Sequence, residues 1–167
     1  VNRDSERNAI WQALLTVQST NSARLVLLTG ETGVGKSRLV QWTSRRAHEV
    51  GAAHVLKAEH GPMSGPAHGL PRMFARHARC VGLSRPELRK RLRTHLGRWG
   101  VDKDHEWDAL TQLIAAPATR GVTARAKVVR FSGPGERYAV YRRYLDRLAT
   151  ERPVIVWLDD VHYGADA

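Results

Sequence analysis

The sequence predicts an α/β fold, a parallel sheet with helices on both faces. Three observations carry this. An apolar run, Leu25-Val26-Leu27-Leu28, leads into a glycine-rich stretch and then an amphipathic one opening at Arg38-Leu39-Val40. A second apolar run, Val154-Ile155-Val156-Trp157-Leu158, ends in Asp159-Asp160. Between the two, apolar residues recur at helical spacing. Strands alternating with helices point to a parallel sheet with its crossovers packed on it.

The elements follow in order. Asn2 to Gln18 reads as a helix, with Asp4 or Ser5 as its cap and Ile10, Leu14 and Val17 on its inner stripe. Arg24 to Thr29 reads as the first strand, apolar on both faces as a central parallel strand should be. A helix from about Lys36 to Val50 follows, ended by Gly51. Ala53 to Ala58 is a weaker strand. The breaker-rich run from His60 to Pro71 reads as a loop. Its histidines have no carboxylate or cysteine at ligand spacing, so an exposed loop is the plainer account. Arg72 to Cys80 is a short helix. Ser84 caps the next, with Pro86 in its first turn and Leu88, Leu92 and Leu96 inward. Its other face carries Arg89, Lys90, Arg91 and Arg93, read as a solvated face ahead of a nucleic-acid contact. A third begins at Asp102 or Asp104, sets Trp107, Leu110, Leu113 and Ile114 inward and closes at Pro117. Thr119 to Pro134 has no clear period and reads as loop. Glu136 to Thr150 is a helix with Tyr138, Tyr141, Leu145 and Leu148 on one side.

The glycine-rich stretch is Gly30-Glu31-Thr32-Gly33-Val34-Gly35-Lys36-Ser37, a complete G-x-x-x-x-G-K-S between strand and helix. Each residue type has a reason. The three glycines let backbone N–H groups close around a cluster of phosphates. The helix that follows turns its positive end toward the same place. Lys36 brings a full charge to the β- and γ-phosphates, and Ser37 a hydroxyl ligand for Mg²⁺. The paired acids at 154–160 fit as the second half. A carboxylate at a strand's end holds Mg²⁺ through its water shell, which suits Asp159. Its neighbour Asp160 can then orient or activate water.

Composition narrows the class. The 167 residues suit one domain, and 42 % hydrophobic with 26 % charged is ordinary globular material. No apolar run nears the roughly 18 residues of a membrane helix. Cys80 is the only cysteine, so an internal disulfide is excluded. The opening Val1 to Glu6 is polar, without a signal-peptide core, and a cytoplasmic location is expected. The net charge of +11 keeps a nucleic-acid-binding module open as an alternative.

Two segments carry a family resemblance: Gly30 to Leu39, and Trp157-Leu158-Asp159-Asp160-Val161-His162-Tyr163-Gly164-Ala165-Asp166. Together they resemble the AAA-type ATPase module of the STAND class. That module occurs in bacterial multidomain regulators: large LuxR-type activators, serine/threonine kinases and cyclases. The opening Asn2-Arg3-Asp4-Ser5-Glu6 is similar to a family segment that lies near the adenine. Asn2 stands where glycine is usual, and Tyr163 where tryptophan is common.

The resemblance implies a P-loop NTPase, a three-layer α/β/α parallel sheet, with a helical insertion before the second apolar strand. It implies that 1–167 is the N-terminal part of one ATPase domain: Walker A at 30–37, a helical middle at about 70–151, Walker B at 154–160. The family's remaining strands come later, so an incomplete sheet with unpaired edges is expected. The implied ligands are ATP and Mg²⁺. Gly30, Glu31, Thr32, Gly33, Val34, Gly35, Lys36, Ser37 and Arg38 would bind nucleotide. Ser37 and Asp159 would serve the metal, and Lys36 and Asp160 the hydrolysis. The partners expected are other domains of a longer chain, with self-association left open. A nucleotide-binding scaffold without turnover is the rival reading.

Overall fold

A computed structural model describes residues 3–62, 68–115 and 129–163. The elements are α1 (Asp4–Thr20), α2 (Lys36–Glu49), β1 (His54–Glu59), α3 (Gly69–His77), α4 (Arg85–Gly97), α5 (Asp104–Ile114), α6 (Pro134–Ala149) and β2 (Val154–Asp159). A single 3-10 turn, Val161–Tyr163, closes the described chain. β1 and β2 pair in a two-stranded sheet. His54 N donates to Pro153 O at 2.8 Å and His60 N to Asp159 O at 3.1 Å. The pairing offset is the same at both ends, so the strands run parallel. Helices α3 to α6 all lie between them in the chain, as the expected helical insertion requires. Pro117 and most of the predicted loop from Thr119 to Pro134 fall outside the described residues.

The chain divides into two compact units. The first holds residues 1–55 and 148–157. Its core is small: Leu14 of α1, Ala47 of α2 and Ala53, with Trp11, Ala52 and Ile155 against them. Neither Asp4 nor Ser5 caps α1; Arg3 holds the cap position with no side-chain bond. The expected cap groups are engaged elsewhere. The Asp4 carboxylate pairs with Arg7, and the Ser5 hydroxyl donates to Glu6. The acids still sit in the first turn, where the helix dipole favours them.

One predicted element is overturned. Residues 24–29 form no strand, and Leu25 and Leu27 are 91 % and 73 % exposed. A strand is defined by a ladder, and among the described residues the only two strands pair with each other. The apolar run therefore has the composition of a central strand without the neighbours that would bury it.

The second unit holds residues 56–147 and 158–167. Serine and glutamate at its α4 start form a reciprocal cap: Ser84 N donates to Glu87 Oε2 at 2.9 Å, and the Ser84 side chain caps in return. Leu88, Leu92 and Leu96 then line the buried face. α5 contributes Trp107, Leu110 and Ile114. Phe74 of α3 stacks on Tyr141 at 4.5 Å and meets the edge of Tyr144 at 5.1 Å. Tyr144, fully buried, was not on the expected stripe of α6, whereas the expected Tyr138 is exposed. The Tyr144 hydroxyl is bonded to His77 Nδ1 at 2.6 Å and His95 Nε2 at 2.7 Å, which satisfies its polar tip. The basic face of α4 is only partly solvated. Arg89 pairs with Asp104 and the buried Asp108, and Arg93 lies 5.1 Å over the Trp107 ring.

Leu92 is wholly buried at the centre of this unit. Leu92→Ala should cost about 2–5 kcal/mol, the range for a cavity in a core that relaxes incompletely. Urea unfolding checks it. Leu113→Ala, at a half-buried position, should cost clearly less.

Candidate functional site

The stretch from Gly30 to Ser37 is a loop entering α2. Two of its glycines hold backbone conformations that other residues rarely adopt. Gly33 and Gly35 have φ of 86° and 89°, in the left-handed region where other residues are strained. A Cβ on either would meet nothing within 4 Å, so it is backbone conformation that calls for glycine there. Gly35 is the residue from which α2 begins. Lys36 folds back over the loop: its Nζ donates to the carbonyl oxygens of Gly30 and Glu31, each at 2.8 Å. The loop is thus wound around its own ammonium. Ser37 lies in the first turn of α2, exposed.

Beside the loop is a cavity of about 480 Å³, lined by Arg3, Arg7, Val34, Gly35, Arg38, Leu39 and Trp42. Its volume is in the range of small-molecule sites. Arg3 Nη2 donates to Val34 O at 2.6 Å, which ties the start of α1 to the loop. The Arg7 guanidinium stands 4.5 Å over the Trp42 ring. Its lining carries three guanidinium groups, two of them partly offset by carboxylates (Arg3 by Glu6 and Arg7 by Asp4, each at 3.5 Å), so the lining stays positive on balance, and Val34, Leu39 and Trp42 give it apolar walls. Of the predicted residues, Val34, Gly35 and Arg38 line this cavity, while Gly30, Glu31 and Lys36 form the wound loop. Arg7 and Trp42 were missed. Each lies four residues from a lining arginine, Arg3 and Arg38, so helical spacing was the signal available.

The acidic pair closes β2. Asp159 is its last residue, half-buried, and its main-chain oxygen accepts from both His60 N at 3.1 Å and His60 Nδ1 at 3.0 Å. Its carboxylate lies 3.4 Å from Lys57 Nζ on β1. Asp160 has φ of 53°. That left-handed conformation turns the chain out of the strand, and aspartate tolerates it better than most residues. Its carbonyl accepts from Tyr163 N at 3.0 Å. The side chain is exposed.

No curated protein and no solved structure matches the chain. A family profile does, over residues 1–167, and its description is AAA ATPase domain. The match makes the fold an α/β P-loop NTPase fold. With the wound loop, its lysine and the helix behind it in place, the chain belongs to the AAA ATPase domain family.

Proposed function

We propose that the chain binds ATP with Mg²⁺ on the loop at 30–37 and hydrolyses it slowly, as a regulatory switch within a larger signalling or transcription-regulating protein. In this reading 1–167 is the N-terminal part of one ATPase domain with a three-layer α/β/α sheet, located in the cytoplasm. The observation that carries it is Lys36, held at 2.8 Å by two carbonyls of a loop whose glycines adopt positive φ. That arrangement fixes a cation at the N-terminal end of a helix, where phosphate oxygens are stabilised by backbone N–H groups and the helix dipole. The arginine-lined cavity beside it supports an anionic ligand, and Arg3 lies in the segment that the resemblance sets near adenine.

As the resemblance implies, Ser37 would offer Mg²⁺ a hydroxyl and Asp159 a carboxylate, each a hard oxygen ligand of the kind the ion takes. The ion would neutralise charge on the β- and γ-phosphates. The chain's own residues do the rest. Lys36 draws charge from the transferred phosphoryl group, the loop N–H groups hold its oxygens, and Asp160 orients water and takes its proton. Gly30 to Arg38 position the triphosphate.

The test is a titration with a fluorescent ATP analogue, with and without Mg²⁺, joined to a phosphate-release assay. Saturable binding that tightens with Mg²⁺, and release above background, are expected. Binding without release would favour the scaffold reading; no binding would reject both.

A further inference from the structure

Lys57 of β1 is shared between two carboxylates. Its Nζ is 2.6 Å from Glu59 Oε1 and 3.4 Å from Asp159 Oδ2. The other oxygen of Glu59 lies 3.5 Å from Arg76 Nη1. Partial burial works against the Lys57 charge, yet Glu59 and Asp159 outweigh it and hold its pKa above the ordinary lysine value. The hydrogen bond from Lys57, then Arg76 at a distance, keeps Glu59 below the usual carboxylate range. Lys57 and Glu59 therefore face each other as a charged pair at neutral pH. The ammonium has a tight seat on Glu59 and a looser one on Asp159, whose main chain is pinned by His60.

We propose that Lys57 is a built-in counter-ion of Asp159 that yields to a divalent cation by withdrawing wholly onto Glu59. This rests on the reading of Asp159 as the metal carboxylate. An ammonium within 4 Å of a carboxylate opposes a second cation on it, because the two positive charges repel at short range. Withdrawal needs no new partner, since the closer of the two contacts is already made to Glu59. Lys57 thus sets how much metal the site requires, and Glu59 sets how readily Lys57 leaves. Lys57 is a positioning residue here, acting through Asp159.

The two residues then have opposite effects. Removing the Lys57 charge frees Asp159 for metal. Removing the Glu59 charge takes away the closer of the two seats, leaves Lys57 on Asp159 and should hinder metal. The side chains of Lys57 and Asp159 are 30 % and 20 % exposed, so the shift is modest, about two- to fivefold in each direction.

The experiment is a Mg²⁺ titration of the whole chain, read as tightening of a fluorescent ATP analogue. Lys57→Met, and Lys57→Gln as a polar control, should lower the half-saturating Mg²⁺ concentration. Glu59→Gln should raise it. The double variant Lys57→Met/Glu59→Gln should behave as Lys57→Met alone, because Glu59 acts only by holding the lysine. Circular dichroism confirms folding of each. Asp159→Asn separates the two levels of the claim. If it removes the Mg²⁺ dependence while the Lys57 and Glu59 variants shift together or not at all, the counter-ion role is wrong and the metal assignment stands. If Asp159→Asn leaves the Mg²⁺ dependence intact, the metal assignment fails and the counter-ion role fails with it.

Discussion

Lys36→Ala is expected to weaken ATP binding by about thirtyfold or more while the chain stays folded. Truncating one partner of a close charge pair costs about 2–5 kcal/mol, which sets that lower bound. The second half of the expectation comes from the structure. Lys36 donates to the carbonyls of Gly30 and Glu31, and both of those residues are exposed. Without the lysine, water takes its place on the carbonyls, so no buried acceptor is stranded. The stability change should stay within about 1 kcal/mol, the usual size for surface positions away from a core or a network. Fluorescent-ATP titration and urea unfolding on the same preparation measure both. A variant that binds normally would place the triphosphate elsewhere, and one that unfolds would make the lysine a structural residue. Lys36→Arg should also bind poorly, because a planar guanidinium does not fold into a space shaped for an ammonium between two carbonyls.

The parts of the molecule legible in the sequence are those whose cause is local. The loop at 30–37 needs only its own glycines and the helix that follows. α4 is legible because Ser84, Pro86 and the leucines spaced by four all lie within it. β2 was legible because five consecutive apolar residues flanked by Pro153 and Asp159 have few alternatives. Where the cause is distant, the sequence does not carry it. The run at 24–29 has strand composition, but a ladder depends on neighbours that the run itself does not contain. On α6, a stripe through Tyr138 and Leu145 and one through Val140 and Tyr144 are both amphipathic. Only packing against Phe74, His77 and His95 decides for Tyr144. Arg89 looked like solvated charge, yet its partner is Asp108 on the next helix. Lys57 shows the same limit at the site. Nothing within β1 announces that its side chain meets a carboxylate on β2. The sequence holds the chemistry of such residues but not the pairing, which arises when the strands align.

Asp160→Asn is the sharper test of turnover, and its design follows from the backbone. Asp160 sits at φ of 53°, a conformation that costs most residues about 1–2 kcal/mol. Asparagine tolerates it as aspartate does, so the substitution removes charge and leaves the turn in place. The hydrogen bond from Tyr163 N goes to the main-chain oxygen and survives any side-chain change. Nucleotide affinity should therefore stay within about twofold, while phosphate release falls by about 10²–10⁴, the usual share of a positioned general base. Asp160→Gly should lose release to the same extent, since it too accepts positive φ. Asp160→Ala adds the backbone cost and should lower stability as well, which separates strain from chemistry. If Asp160→Asn releases phosphate at the rate of the parent chain, another group activates the water. The nearest anionic candidate in sequence is then Asp159, and its asparagine variant would lose metal dependence and turnover together.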